Sequence, residues 1–139
     1  TFQGYTARGV GLDYISDDGT IAPTAAAGSI AFAPEIVVPA LETMKRRYGK
    51  YIYDDYGFVD AFNLSFHTPT TLRTGKLVPG LGWVDTLQLG IDQGPIVLMI
   101  ENWRSDFVWK VMKKNPYIRK GLQRAGFEGG WLDAEASKK

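Results

Sequence analysis

Carboxyl groups are the side chains on which chemistry in this sequence can rest. Its single histidine, His67, has no partner at metal-ligand or nucleophile spacing, and the chain contains no cysteine. No glycine-rich phosphate loop, zinc pattern or nucleophile elbow is present either. Two carboxyls on either side of an acetal bond suffice for its hydrolysis, one donating a proton to the leaving oxygen and the other activating water or attacking carbon. Acids occur in three settings: Asp13, Asp17 and Asp18; Asp54, Asp55 and Asp60; and Asp92 with Glu101. Asp17 and Asp18 stand before Gly19 and suit a turn. Asp54 and Asp55 suit solvent.

Asp60 differs, because Phe58, Val59 and Phe62 surround it in sequence. A carboxyl partly withdrawn from water can be kept protonated or be held ionised by donors. It can also simply pin a loop through backbone amides. Asp92 precedes an apolar helical run, so it can cap that helix, stand at a substrate, or do both. Glu101 lies nine residues further on, which at 100° per residue turns it to the opposite helix face and away from a shared reaction centre. Glu35, early in its own helix, suits the helix dipole. Flat apolar faces and planar amides for a sugar ring are available nearby in Tyr56, Phe58, Asn63, Trp83 and Gln93. Aromatic residues are more often core than platform, so each of these also has a packing explanation.

The elements that must position these groups are mostly helical. Residues 1–22 are glycine-rich and read as loop with short extended pieces. Pro23 suits a helix N1 position, and Ala25–Gly28 would let that helix pack closely on a neighbour. A second helix is expected from Pro34 to about Tyr48, stopped by Gly49 and bent or bounded at Pro39. Residues 50–89 show no helical period but seven aromatics, a loop long enough to be functional, with short strands expected at 62–66 and 87–89. Helix returns over 93–103, where Ile96–Ile100 are consecutively apolar, the pattern of a helix buried on all sides. Ser105 is expected to cap a helix with Phe107, Val108, Val111 and Met112 inward. Asn115-Pro116 begins another that Gly126 closes. Trp131 should fold back on that last helix. The class expected is all-α with minor β content.

Sixteen basic against fifteen acidic residues leave a net charge of +1, which argues against a nucleic-acid surface. The basic runs Lys45–Arg47 and Lys113–Lys114 are expected at helix ends. No apolar run is long enough to span a bilayer.

Three segments in one order, residues 17–35, 56–63 and 90–102, give the chain a resemblance that runs from about Gly9 to about Asp133. It resembles the C-terminal part of the glycoamylase-like proteins, carbohydrate-active enzymes that include the β-1,2-glucanases of glycoside hydrolase family 144. The resemblance implies an (α/α)6 toroid, of which residues 1–139 would be a C-terminal fragment with 134–139 a frayed tail. It implies inverting hydrolysis of β-1,2-glucan or related β-glucosides, without metal or organic cofactor, by a periplasmic or secreted protein. Its partners would be a β-glucan oligosaccharide and the N-terminal part of the same domain, which would carry the general acid. Asp60 or Asp92 would be the carboxylate supplied by this part. A transglycosylating domain of a cyclic β-1,2-glucan synthase, or a non-catalytic sugar-binding scaffold, would share these features.

Overall fold

The computed structural model describes Gly4, Thr6, Gly9–Val10, Asp13 and residues 15–133; the tail expected at 134–139 lies outside them. The chain divides into two compact units, Thr1–Ile100 and Glu101–Lys139.

The first unit departs from the all-α expectation, because three small antiparallel sheets accompany its helices. Strands β1 (Gly9–Val10) and β2 (Ile15–Ser16) pair with each other. β3 (Thr20–Ile21) leads into helix α1 (Pro23–Ala27), and α2 spans Pro34–Ile52. A hairpin of β4 (Tyr53–Asp54) and β5 (Gly57–Phe58) follows, then β6 (Phe62–Asn63), β7 (Lys76–Val78) and β8 (Gly82–Val84). The main sheet has the order β3-β6-β8-β7. Of the two strands expected in this stretch, the first is confined to Phe62–Asn63 and the second is absent. Residue 87 instead contributes its carbonyl to the amide of Asp60, at 3.0 Å.

Helix α2 does not stop at Gly49. It continues to Ile52, which is completely buried in a core with Val59, Phe62 and Val84. Tertiary burial of one isoleucine here outweighs the weak helix preference of one glycine. The basic run Lys45–Arg47 is consequently inside the helix, where Lys45 Nζ lies 3.7 Å from the centre of the Tyr53 ring. Tyr48 packs on Phe62 with ring centres 5.5 Å apart, joining α2 to the sheet. Pro39 is accommodated within the same helix. Helix α1 does start at Pro23. Ala27 is its buried alanine, whereas Ala25 is exposed.

Helix α3 (Gly90–Ser105) begins earlier than its apolar run suggests, and it is not buried on all sides. Ile91, Val97 and Leu98 are half or more exposed. Among the described residues, neighbours cover only part of this helix, so these apolar side chains remain open.

In the second unit the Asn102 side chain is buried and its Oδ1 accepts the amide of Trp109 at 3.0 Å. Helix α4 (Phe107–Lys113) is preceded by Asp106 in a left-handed conformation, φ 58°, while Ser105 Oγ accepts the amide of Phe107. Phe107, Val111 and Met112 are exposed rather than inward. Asn115 caps α5 (Pro116–Arg124) by accepting the Tyr117 amide at 2.9 Å, and Gly126 closes it at φ 83°. Trp131 does fold back on α5: Arg119 lies 5.0 Å from its ring and donates to the carbonyls of Trp131 and Leu132. No helix among the described residues is long and apolar enough to cross a membrane.

Candidate active site

Asp60 and Asp92, separated by thirty-two positions in sequence, line one cavity of about 280 Å3. Its remaining walls come from Ala22, Thr24, Ala25, Gly28 and Ser29 around α1, and from Ile91 and Pro95 in the first turns of α3. Small residues at 22, 25, 28 and 29 leave this space open. The close packing expected of Ala25–Gly28 therefore has a second side, since Gly28 faces Pro95 across it. An added Cβ would lie 3.8 Å from Pro95 Cβ.

Asp60 is 7% exposed, in the link between β5 and β6. Its amide donates to Leu87 O at 3.0 Å and its carbonyl accepts from Thr24 Oγ1 at 3.1 Å. The next residue is held as well, with Asp85 N donating to Ala61 O at 2.9 Å. Asp92 is not the cap of α3, because the helix starts two residues before it. Its Oδ2 is buried and has no hydrogen-bond partner among the described residues. Buried acceptors are nearly always paired, and leaving one unpaired costs about 1–3 kcal/mol. An acceptor that lines a cavity without a partner among the described residues can take a hydrogen bond from water or from a hydroxyl.

Four of the other acids singled out in the sequence have structural employment. Asp17 and Asp18 accept the amides of Gly19 and Thr20 in a turn. Asp54 accepts from Tyr56 N and Gln88 Nε2. Glu101 accepts the hydroxyl of Ser105. Asp85 was not singled out by sequence, yet it is completely buried and both carboxylate oxygens are used, by Thr74 Oγ1 at 3.1 Å and Leu87 N at 3.0 Å. Its only signal is its place directly after the buried pair Trp83-Val84. Thr24, the other residue that sequence reasoning passed over, gave no signal beyond following Pro23.

None of the five residues expected to hold a sugar is among the described lining of the cavity. Trp83 is completely buried and its indole N–H donates to Thr74 O, a core position. Asn63 is 1% exposed and organises a loop. Its Oδ1 accepts from Ser65 N, Ser65 Oγ and Phe66 N, while Nδ2 donates to Asp18 O and Thr20 Oγ1. Phe58 packs edge-on against Tyr53, ring centres 4.9 Å apart. Gln93 Nε2 reaches Phe58 O at 3.4 Å and ties the β4–β5 hairpin to α3. Tyr56, at the hairpin tip, is 80% exposed.

Asn63 supports a direct test of this assignment. In Asn63→Asp a carboxylate oxygen replaces the donor that faces Asp18 O, so stability should fall by about 1–3 kcal/mol in denaturant melts. Unchanged stability would show that the amide does not organise the loop.

Residues 1–116 match the family model for Glycoamylase, described as "Putative glucoamylase". The chain is 34% identical over 108 residues to the exo β-1,2-glucooligosaccharide sophorohydrolase (non-reducing end) of Parabacteroides distasonis, covering 78% of this chain and 13% of that protein. It is similar to the endo-β-1,2-glucanase from Chitinophaga pinensis, solved with sophorotriose and glucose, with a TM-score of 0.68 and 33% identity over 93% of this chain and 27% of that one. The β-1,2-glucanase structure from Parabacteroides distasonis matches with a TM-score of 0.61 and 34% identity, over 78% and 13% of the two chains. The chain thus spans between an eighth and about a quarter of the length of these relatives.

Proposed function

Since the chain belongs to the glycoamylase family, we propose that it forms part of the catalytic domain of a glycoside hydrolase acting on β-1,2-linked glucan. The observation that carries this reading is the cavity shared by Asp60 and Asp92, with one carboxylate oxygen of Asp92 buried and without a partner among the described residues. Relatives named as β-1,2-glucan hydrolases support the linkage.

In this reading a sugar hydroxyl donates to Asp92 Oδ2 and so orients the ring. Asp60 takes the proton of the attacking water. The general acid that protonates the leaving oxygen comes from the preceding part of the same polypeptide, completing an (α/α)6 toroid. Attack on the face opposite the leaving group inverts the anomeric centre. Two carboxyls perform the whole reaction, so no cofactor is called for. In this reading the protein works in the periplasm or outside the cell.

The test is the full-length protein incubated with β-1,2-glucan, its products followed by NMR at early times. Release of sophorose-series products in the α-anomeric form is expected. Activity confined to β-1,3- or β-1,4-glucan would refute the linkage, and β-anomeric products would refute inversion.

Gly28 allows the cavity itself to be tested. Its φ of −65° suits any L-residue, so Gly28→Leu should fold with a side chain projecting toward Pro95. We expect KM to rise about tenfold, equivalent to roughly 1.4 kcal/mol of binding, with an overpacking cost at the low end of about 1–3 kcal/mol. Unaltered KM would remove this cavity from the substrate's path.

A further inference from the structure

We propose that Thr24 is a positioning residue for Asp60, an inference that rests on the reading of Asp60 as the base. The direction of a Cα–Cβ bond is set by the two peptide planes that flank it. For Asp60, the plane on its N-terminal side carries the amide that donates to Leu87 O at 3.0 Å. That bond is main chain to main chain and is indifferent to side-chain identity. The plane on its C-terminal side carries the carbonyl that accepts from Thr24 Oγ1 at 3.1 Å. One hydroxyl, from a residue thirty-six positions away, therefore helps to fix where the carboxylate points.

Thr24 is suited to this task. It is 3% exposed, and a β-branched side chain within α1 has few rotamers to choose from. Pro23, completely buried beside it, fixes the backbone from which the hydroxyl projects. Thr24 also lines the same cavity as Asp60 and Asp92, so the tether and the carboxyls it serves lie together. The hydroxyl touches the main chain of Asp60 and acts through it.

The experiment is a double-mutant cycle in the full-length enzyme, using Thr24→Val, Thr24→Ser, Asp60→Asn and the combination T24V/D60N, with kcat, KM and Tm measured on β-1,2-glucan. Thr24→Val keeps the shape and removes the donor. A small misplacement of a reacting group can cost up to about a hundredfold, so kcat should fall about tenfold or more while KM stays within about twofold. Thr24→Ser, which restores the donor, should recover most of kcat. Added to Asp60→Asn, Thr24→Val should lower kcat no further, because the group it positions is already disabled.

Normal kcat in Thr24→Val beside a crippled Asp60→Asn would overturn the role of Thr24 and leave the assignment of Asp60 standing. Multiplicative losses in the combined variant would also overturn it, since they are the signature of a merely structural contact. Wild-type turnover in Asp60→Asn would overturn both. Should Thr24→Val fail to fold, Thr24→Ala against Thr24→Ser carries the same comparison, with the same outcomes deciding it.

Discussion

Replacing Asp60 by asparagine should lower kcat on β-1,2-glucan by a factor on the order of 10² or more with little change in melting temperature. The amide keeps the shape of the carboxylate but cannot take a proton. The bonds made by its backbone amide and carbonyl, to Leu87 O and from Thr24 Oγ1, do not involve the carboxylate and stay in place on substitution. Asp92→Asn should lower kcat/KM to a similar degree, and its effect on stability separates two roles. A carboxylate that secured the fold would show a loss of stability on substitution. An oxygen buried without a partner costs the folded state free energy, so neutralising it should leave Tm unchanged or raise it. Active sites commonly carry such stability deficits. Wild-type turnover in both variants would move attention to Asp13, Asp17 and Asp18.

The second large effect is on stability. Trp83→Ala should cost about 3–5 kcal/mol, read from denaturant melts. The side chain is completely buried, and its ring fits against Gly75 so closely that a Cβ there would lie 2.6 Å from the indole nitrogen. Domain stabilities are only about 5–15 kcal/mol, so this one truncation removes a large share. Trp83→Phe retains much of the packing but removes the hydrogen bond from the indole N–H to Thr74 O, and should cost about 0.5–1.5 kcal/mol. If Trp83 were instead a sugar platform, both variants would keep wild-type stability and lose affinity.

What could be read from sequence depended on how local the cause was. Pro23 opening α1, and Asn115-Pro116 opening α5, each depend on one or two adjacent residues. The end of α2 was misplaced because Gly49 is a local signal, whereas the burial of Ile52 is decided by strands that come later in the chain. The main sheet escaped notice because strands of two or three residues are too short to establish a period of two. Asp60 and Asp92 stood out individually, one for its aromatic surroundings and one for preceding a helix. Their common cavity was invisible, since it requires α1 and α3 to face each other. Trp83 and Asn63 were selected for chemistry that also suits a core ring and a loop anchor. Composition carries no information to separate those uses until burial is known.

The way Asp60 is held determines where this fold can lengthen or shorten. Between Val59 and Asn63 every residue is buried, and backbone hydrogen bonds tie Asp60 to Leu87 and Ala61 to Asp85, so inserting or deleting one residue there would turn Asp60 away from Asp92. Residues 67–71 lie between β6 and β7, outside regular structure, and all are exposed. The anchors to either side, Asn63 and Thr74, fasten that excursion at both ends. Several residues could be gained or lost between them, at a small closure entropy, without moving the acids. Length variation among relatives should therefore gather in this excursion, while the spacing from Val59 to Asn63 stays constant.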